Sequence, residues 1–489
     1  MTAVGVSKVP GREERHLVAS IDGLRTLWPA LSAHVVLTRV QKVGLAAVAV
    51  LVAAALVWRP VGTLQVLIGL ITVVYGGAIA FRVALVWAAG RQEHRVWVSN
   101  EEALATPDDE LPVYTVLVPA YREPEVIHLL VEHLGDLDYP ADRLDVKLLL
   151  EADDAETIAA ARAQLPAGSP IQVVIVPPSQ PQTKPKACNY GLQLARGELV
   201  TIYDAEDRPE PLQLRRAAVA LARLGPDYAC LQAELGYFNT YQNRITRWFT
   251  LEYAAWFRSL LPGLVAFGMP IPLGGTSNHF RTEALRELGA WDPFNVTEDA
   301  DLGMRLARLG HKVGVLHAVT LEEANSDFIN WVKQRSRWYK GYLMTWLVHM
   351  RAPRQTYRQL GWRGLLCLNF FVGGTPLTAL LNPVFWAMTI LWVIARPHAI
   401  QTLFVTPVYY LGLLCMVLGN ITVIYLNVLV VRQMDRPNLL WSALISPAYW
   451  AMMSIAAVKA ALQLLLSPSY WEKTTHGLHL KQGAAAHGD

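Results

Sequence analysis

Two apolar stretches with almost nothing between them constrain the fold of this chain more than any other feature. Val43–Trp58 and Thr63–Ala80 are separated by little more than Arg59 and Pro60. A helix needs about 20 apolar residues to cross the hydrocarbon core of a bilayer, and a link this short has no room for a folded domain. We therefore predict a helical hairpin that spans a membrane, because a helix pairs its own backbone polar groups in lipid. The composition agrees, since only 17% of the residues are charged, against about 25% in soluble proteins.

Further apolar stretches lie toward the C-terminus. Pro376–Ile394 and Thr402–Val431 are each predicted to be a span. A third stretch, residues 438–466, contains a proline, and its polar side chains Lys459 and Gln463 share one face of a helix. We interpret it as interfacial or re-entrant, with a full span as the alternative, so four or five spans are expected in all.

Basic residues next to the predicted spans indicate the orientation in the membrane. They cluster within residues 8–42, 91–95, 351–363 and 432–436, and loops rich in arginine and lysine face the cytoplasm. We expect a multi-pass plasma-membrane protein whose large central segment is cytoplasmic. The polar, basic start of the chain predicts no secretory signal peptide.

Two amphipathic segments are expected at the membrane surface rather than across it. Residues 21–42 are predicted to form a helix on the surface, and residues 240–270 an interfacial helix and loop. The predicted organisation is a leader (1–42), a transmembrane hairpin (43–90), a central domain (91–350), transmembrane and interfacial helices (351–466) and a tail (467–489).

The central domain alternates short β-branched runs with helical patterns, and it has no internal repeat. Ile127–Leu134 and Ile158–Leu165 have the helical pattern. The predicted strands are Tyr114–Val118, Val146–Leu150, Val173–Val176 and Leu199–Tyr203. This alternation predicts an α/β domain with a mostly parallel sheet. Ligands of such sheets bind beyond the carboxyl ends of the strands, which draws attention to the polar residues there.

Acidic residues follow two of these predicted strands. Asp153 and Asp154 come after the second, and Asp204, Glu206 and Asp207 come after the fourth. Alternating carboxylates at a strand end can share a hard divalent cation such as Mg²⁺ or Mn²⁺. The alternative is that they form turns and cap helices.

Two more polar clusters lie further along the domain. Thr297-Glu298-Asp299 opens a helical pattern, and the alternative to a functional role is that Thr297 caps the helix while the acids favour its positive end. The other runs from Gln334 to Trp338, and the alternative there is a basic, aromatic segment close to the membrane.

The four clusters occur in order, on one α/β domain between membrane segments. Together they resemble the processive family 2 glycosyltransferases, the group of cellulose, hyaluronan and related polysaccharide synthases. The resemblance covers roughly residues 111–350. The signature of that group is an Asp, a DxD, a TED and a QxxRW motif. It is matched by Asp153, Asp204-x-Glu206, Thr297-Glu298-Asp299 and Gln334-x-x-Arg337-Trp338.

Three shorter segments are also similar to that group. Val118–Pro124 is similar to its first strand and base-binding loop, and Lys186–Asn189 is similar to its KAGN motif. Residues 467–474 resemble its gating loop more distantly, and the residues concerned are Trp471, Lys473 and Thr474. The alternative for that segment is an anchor at the membrane interface.

The resemblance implies a Rossmann-like GT-A fold and an inverting displacement on a nucleoside diphosphate sugar, most often UDP-linked. It implies that Asp299, beside Glu298, is the base, and that Asp204 and Glu206 hold Mg²⁺ or Mn²⁺, with Asp207 as the alternative second ligand. It implies that Trp338 stacks on the acceptor. The implied donor-binding residues are Tyr121, Glu123, Asp153, Lys186, Asp204, Gln334 and Arg337. Spacing alone leaves retaining chemistry open.

The expected function is sugar transfer to a growing polysaccharide, coupled to its export. The alternative is a non-processive transferase with a lipid-linked acceptor. A transporter without catalysis is disfavoured, because the charged clusters lie outside the predicted spans. A net charge of +3 argues against nucleic acid as a partner. Four cysteines far apart in sequence, with no CxxC pair, predict buried small hydrophobic residues rather than disulfides or a zinc site.

Overall fold

Three helices form the N-terminal part of the computed structural model, which describes residues 11–90, 94–165, 169–396, 398–468, 470 and 472. They are α1 (Arg12–Leu27), α2 (Arg39–Trp58) and α3 (Pro60–Ala89). Arg59 leaves the helical conformation between α2 and α3. Pro60 then takes the first position of α3, where its missing N–H costs nothing. The sequence places two apolar helices here, and the structure has both.

The predicted surface helix over residues 21–42 is wrong. Helix α1 begins earlier, at Arg12, and ends at Leu27, just before a short 3₁₀ turn at Pro29–Leu31. Leu24 is only 1% exposed, and Asn189 of the central domain donates to the Ser20 carbonyl. Leu24 of helix α1 therefore packs against protein, whereas Val18 and Leu27 of the same helix are exposed.

The central domain is built on a nine-stranded sheet. Its strands are β1 (Arg95–Val96), β2 (Tyr114–Ala120), β3 (Leu144–Glu151), β4 (Ile171–Val176), β5 (Leu199–Ile202), β6 (Arg208–Pro209), β7 (Tyr228–Tyr237), β8 (Asn278–Arg281) and β9 (Lys312–Glu322). The order is β1-β9-β7-β8-β5-β2-β3-β4, with β6 paired to β9. All four predicted strands are confirmed, and β2, β3, β4 and β5 pair in parallel. Strand β8 runs antiparallel to β5 and β7, so the sheet is mixed.

Helices cover both faces of this sheet. They are α4 (Asn100–Ala105), α5 (Ile127–Gly135), α6 (Ala155–Gln164), α7 (Lys184–Gln193), α8 (Gln213–Leu224), α9 (Arg244–Ala255), α10 (Leu261–Ala266), α11 (Thr282–Glu287), α12 (Glu298–Arg308) and α13 (Phe328–His349), with a 3₁₀ turn at Pro124–Val126 and a π-helical turn at Trp256–Leu260. Side chains of β2 alternate between two buried clusters, with Leu117 in one and Val116 and Val118 in the other. This is the α/β GT-A-type architecture predicted from the sequence.

Six helices follow the central domain. They are α14 (Pro353–Leu366), α15 (Gly374–Ala395), α16 (His398–Leu403), α17 (Thr406–Gln433), α18 (Leu440–Leu444) and α19 (Ser446–Leu466), with a π-helical turn at Cys367–Gly373 and a 3₁₀ turn at Pro437–Leu439. Within the described residues, five helical stretches are long and apolar enough to cross a membrane. They are α2, α3, the continuous run α14–α15, α17 and α19.

Helix α19 differs from the interfacial or re-entrant segment predicted at residues 438–466. It is one helix of 21 residues, which favours the alternative of a full span. Its polar face has a partner within the chain, because Lys459 Nζ and Gln463 Nε2 donate to the Glu472 carboxylate at 2.8 and 2.9 Å. That ion pair lowers the cost of placing Lys459 in an apolar helix.

Several contacts connect the central domain to the apolar helices, and two of them fix helices α3 and α19. Helix α10 lies against the end of α3, where a Cβ on Gly263 would be 2.4 Å from the Leu85 carbonyl oxygen. Helix α13 packs along α19, and Trp331 Nε1 donates to the Tyr449 hydroxyl at 3.1 Å. All four cysteines are buried and unpaired, as predicted.

Candidate active site

A cavity of about 440 Å³ lies beyond the carboxyl ends of the parallel strands, between the sheet and helices α12 and α13. It is where ligands of parallel sheets bind. Nine of the residues proposed from the sequence line it: Tyr121, Glu123, Asp204, Glu206, Glu298, Asp299, Gln334, Arg337 and Trp338. Residues from three of the four polar clusters, and from the Val118–Pro124 segment, therefore share one site.

Asp153 stands at the edge of the cavity and is exposed. Its carboxylate accepts from the Tyr121 hydroxyl at 3.2 Å and from Gln182 Nε2 at 2.8 Å. Both donors line the cavity. Asp153 therefore orients two side chains of the wall and is not itself part of the lining.

Lys186 is placed differently from the prediction, which put it in the donor pocket. It is fully buried behind the wall, 2.8 Å from Glu151, and Glu151 lines the cavity. Lys184 lines the cavity instead, and its Nζ lies 2.5 Å from Asp204 Oδ1 and donates to the Gly275 carbonyl at 2.8 Å. Because α7 begins at Lys184 and each helical residue turns by about 100°, two residues further on the side chain faces another way.

The charge of Lys184 is firmly held. Burial on its own would lower the pKa of this lysine, but Asp204, Cys188 and Glu298 together outweigh burial, and the net pKa is raised. Lys184 is therefore a permanent positive charge beside the acidic turn after β5.

The carboxylates of the acidic turn after β5 have two different roles, lining the cavity and stabilising the turn. Asp204 and Glu206 line the cavity. Asp207 turns away, and its Oδ2 accepts from the Asp204 backbone N–H at 2.8 Å and from the Thr276 hydroxyl at 2.5 Å. Asp207 therefore fixes the turn, which leaves Glu206 as the second carboxylate at the cavity.

These carboxylates fit a hard divalent cation. No three His, Cys, Asp or Glu side chains converge on one point in the described part of the chain. Magnesium, however, commonly takes one or two carboxylates and completes its shell with phosphates and waters. Burial, and then the charges of Asp204 and Glu206, raise the pKa of Asp207, and Glu322 in the same wall has its pKa raised by burial and by these carboxylates. A cation held here would relieve that repulsion.

Glu298 and Asp299 begin helix α12, with Thr297 at the N-cap position. Thr297 makes no capping hydrogen bond, so the capping alternative considered from the sequence is wrong for this side chain. Asp299 Oδ1 accepts from the Ala300 N–H at 2.7 Å. Burial raises the pKa of Asp299 to about 6, although Lys184 and Arg337 oppose the shift. Burial, and then the Asp299 charge, also raise the pKa of Glu298.

A glycine lets helix α13 approach this motif. A Cβ on Gly341 would lie 2.3 Å from Thr297 Oγ1, which is closer than two such atoms can approach. Any other residue at position 341 would push α13 away from the start of α12. The close approach keeps Arg337 and Trp338 next to Glu298 and Asp299.

Helix α13 presents Gln334, Arg337 and Trp338 to the cavity from one face, because residues three and four apart are neighbours on a helix. Gln334 Oε1 accepts from Asn325 Nδ2 at 3.0 Å. Burial lowers the pKa of Arg337, while Glu298 and Asp299 raise it. Arg337 therefore remains a cation beside the acidic residues at the start of α12.

Sequence reasoning missed Arg335, which lines the cavity between Gln334 and Arg337. Its Nη1 and Nη2 donate to the two Glu252 oxygens at 2.8 and 2.5 Å. Its guanidinium carbon lies 4.4 Å from the centre of the Trp338 ring, and Trp338 also stacks on Tyr253 at 6.2 Å. Nothing local to the sequence signals Glu252 as its partner.

One residue of the apolar helices, Thr375 of α15, joins the cavity lining, together with Trp256 and Tyr342 of the central domain. The residues suggested for a gating loop, Trp471, Lys473 and Thr474, lie outside the described residues, and that suggestion stays a prediction.

The family model named "Glycosyl transferase family group 2" matches residues 199–465, more than half of the chain. The chain belongs to this family. This is a family of glycosyltransferases. The matched part begins at β5, so it contains the acidic turn, the start of α12 and all of α13.

Curated relatives of this family 2 glycosyltransferase include different kinds of enzyme. The probable glycosyltransferase YdaM of Bacillus subtilis is 26% identical over 234 residues, covering 47% of this chain and 56% of that protein. The beta-monoglucosyldiacylglycerol synthase of Synechocystis is 29% identical over 288 residues, 55% of this chain and 58% of that one. The probable glucomannan 4-beta-mannosyltransferase 7 of Oryza sativa is 26% identical over 261 residues, which cover 50% of this chain and 44% of that protein. The chain spans about half the length of the curated relatives it matches.

Among solved structures, a mannosyltransferase from Pyrobaculum calidifontis in complex with GDP-Man and Mn²⁺ is similar to this glycosyltransferase. The two are 17% identical, with a TM-score of 0.49, over 82% of this chain and 99% of that one. A TM-score below 0.5 supports no inference about donor, metal or acceptor.

Proposed function

We propose that this enzyme transfers a sugar, with inversion, from a UDP-sugar to a growing polysaccharide at the cytoplasmic face of the plasma membrane. One observation carries the proposal. A single cavity holds the carboxylates Asp204 and Glu206, the cation Arg337, the carboxylate Asp299 and the indole of Trp338. Donor binding, proton removal and acceptor binding each need one of these groups.

Asp299 is the proposed base. It takes the proton from the acceptor hydroxyl as that oxygen attacks the anomeric carbon. Its raised pKa, about 6, makes it a stronger base than an ordinary aspartate while leaving it ionised at neutral pH. Glu298 is beside it, and burial together with the Asp299 charge raises the pKa of Glu298 to about 8, so Asp299 is the member of this pair that is ionised at neutral pH.

Positive charge is needed where the diphosphate departs. Arg337 and Lys184 supply it from opposite walls of the cavity, and Gln334 offers an amide donor. Asp204 and Glu206 would hold Mg²⁺ or Mn²⁺, which would offset the same developing charge. Tyr121 and Glu123 are proposed to bind the nucleotide, with Asp153 holding Tyr121 in place.

Trp338 is the proposed acceptor platform. An indole offers a flat apolar face for a sugar ring and one N–H donor. Its plane is set by Arg335 and Tyr253. Replacing Trp338 by alanine should abolish transfer and leave UDP affinity within about threefold of wild type, since the indole carries the acceptor face and one donor. Calorimetry and a transfer assay on the same folded, monodisperse protein measure both, and normal transfer per folded molecule would rule the role out.

Polysaccharide extension is supported by the QxxRW motif and by similarity to plant proteins named as probable glucomannan 4-beta-mannosyltransferases. A lipid-linked acceptor is the second candidate, and a different observation favours it. One helix of the apolar segment reaches the cavity, with Thr375 of α15 in its lining, so an acceptor embedded in the membrane would approach the cavity on that side. A panel of radiolabelled nucleotide sugars, with product size measured by gel filtration and thin-layer chromatography, separates polymer from glycolipid.

A further inference from the structure

Arg82 is the one charged residue of helix α3, whose sequence is otherwise apolar or uncharged. It lies seven residues before Ala89, the last residue of the helix, which is about 10 Å along the axis. That end of α3 contacts the central domain, where Leu85 lies against Gly263. If α3 spans the membrane, Arg82 is close to the headgroup level on the side of the catalytic domain.

The contacts of Arg82 leave its charge uncompensated. Its Nη2 donates to Thr375 Oγ1 at 3.2 Å, and its guanidinium carbon lies 5.6 Å from the Trp450 ring centre. Among the described residues no carboxylate pairs with it. A guanidinium has five N–H donors, and ionisable residues in a membrane helix are costly unless they pair or serve a function.

Arg82 also stands directly behind the catalytic cavity. Its partner Thr375 lines that cavity, and so does Tyr339, which is close enough to interact electrostatically with Arg82. Helices α3, α15 and α19 meet at this point. A group bound to Arg82 would therefore lie at the membrane side of the acceptor platform.

A second polar contact keeps α3 and α15 in register. The Tyr75 hydroxyl donates to Asn382 Oδ1 at 2.8 Å. Tyr75 and Arg82 are seven residues apart, as are Asn382 and Thr375, so the two contacts lie on matching faces about 10 Å apart. Helices α3 and α15 are thus held together by two polar contacts, one of which is made by Arg82 itself.

We propose that Arg82 binds the phosphate of a lipid-linked acceptor whose head enters the cavity past Thr375. Guanidinium matches phosphate oxygens in charge and in geometry, and the headgroup level is where a lipid phosphate lies. The inference rests on the second candidate function, transfer to a lipid-linked acceptor, and deepens it, since it names the chemical class of that acceptor. Free phosphate shares this chemistry and is separated from lipid in the test.

The experiment measures lipid binding to the purified full chain in neutral detergent. The probes are phosphatidic acid and diacylglycerol with the same acyl chains, and the proteins are wild type, Arg82→Gln, Arg82→Lys and Arg59→Gln. Arg59 is the matched control, because it flanks the same helix and contacts only the neighbouring Trp58 ring at 5.1 Å among the contacts described. We expect Arg82→Gln to weaken phosphatidic acid binding at least tenfold, Arg82→Lys to weaken it less, and Arg59→Gln to leave it unchanged, with diacylglycerol binding the same in all four.

Equal phosphatidic acid binding by wild type and Arg82→Gln overturns the inference. Displacement by millimolar inorganic phosphate overturns the assignment to a lipid. If Arg82→Gln does not fold, the inference can still be tested on the wild-type protein. Equal wild-type affinity for phosphatidic acid and diacylglycerol overturns it. UDP affinity and sugar transfer by wild type test the proposed function separately. A protein that binds no UDP but still discriminates between the two lipids through Arg82 would contradict the proposed function and leave the Arg82 inference standing.

Discussion

Exchanging Arg335 for lysine tests whether the orientation of Trp338 depends on this arginine. Lysine keeps the positive charge but loses the two-pronged donor and the flat face. Removing one partner of a buried pair costs about 3–5 kcal/mol, but here the charge stays and the Glu252 side chain is 30% exposed. What is lost is one charged hydrogen bond, worth about 1.5–3 kcal/mol, and a contact with the indole worth about 0.5–1 kcal/mol. Allowing for solvent at Glu252, we expect about 2 kcal/mol, or roughly 30-fold.

This loss should fall on the acceptor and not on the donor. Acceptor KM, measured by initial rates of transfer, should rise about 10- to 30-fold, while UDP affinity measured by calorimetry stays within error. Arg354→Lys is the matched control, since Arg354 is exposed at the start of α14, and it should behave as wild type. Acceptor KM equal to wild type in folded Arg335→Lys would refute the idea that Arg335 positions Trp338. A parallel loss of UDP binding would refute the separation of the two subsites.

Three further predictions concern the chemical step. Asp299→Asn keeps the size of the side chain but removes the proton acceptor, so transfer should fall by roughly 10²-fold or more with little change in UDP affinity; near-wild-type turnover would contradict the role. Because burial raises the pKa of Asp299 to about 6, and the base acts only when deprotonated, kcat should be lost as pH falls through about 6, and a limb centred near pH 4 would contradict this origin. Chelation should abolish transfer, and Mg²⁺ or Mn²⁺ should restore it through Asp204; full activity in excess chelator would remove the metal from the mechanism.

Local sequence patterns predicted much of the fold, because strands and helices are set by short-range periodicity. Strand β2 was predicted from Tyr114 and is found from Tyr114 to Ala120, with its side chains alternating between two cores. Helices α2 and α3 were predicted from apolar runs, and that prediction requires only that each run is long enough to cross a bilayer. The surface helix predicted over residues 21–42 was wrong for a tertiary reason. Leu24 is buried against the central domain, and an amphipathic sequence pattern is the same whether protein or lipid covers its apolar face.

The order of the polar clusters predicted which residues would share a cavity, because residues after parallel strands meet at one edge of the sheet. Which side chain of a cluster faces the cavity was not predictable. Asp207 is held away from the cavity partly by the Thr276 hydroxyl, which is 69 residues away in sequence, and that contact exists only in the folded domain.

The sequence by itself determined the family, the α/β architecture and most of the cavity lining, since motifs and periodicity are local properties of the chain. The tertiary structure alone decided that Lys184 and not Lys186 reaches the cavity, because the start of α7 fixes the direction of each side chain. It also decided the partners of Arg335, which are 83 and 114 residues away at Glu252 and Tyr449. Such pairs depend on how helices α9, α13 and α19 pack, and no pattern within any one of these helices encodes that packing.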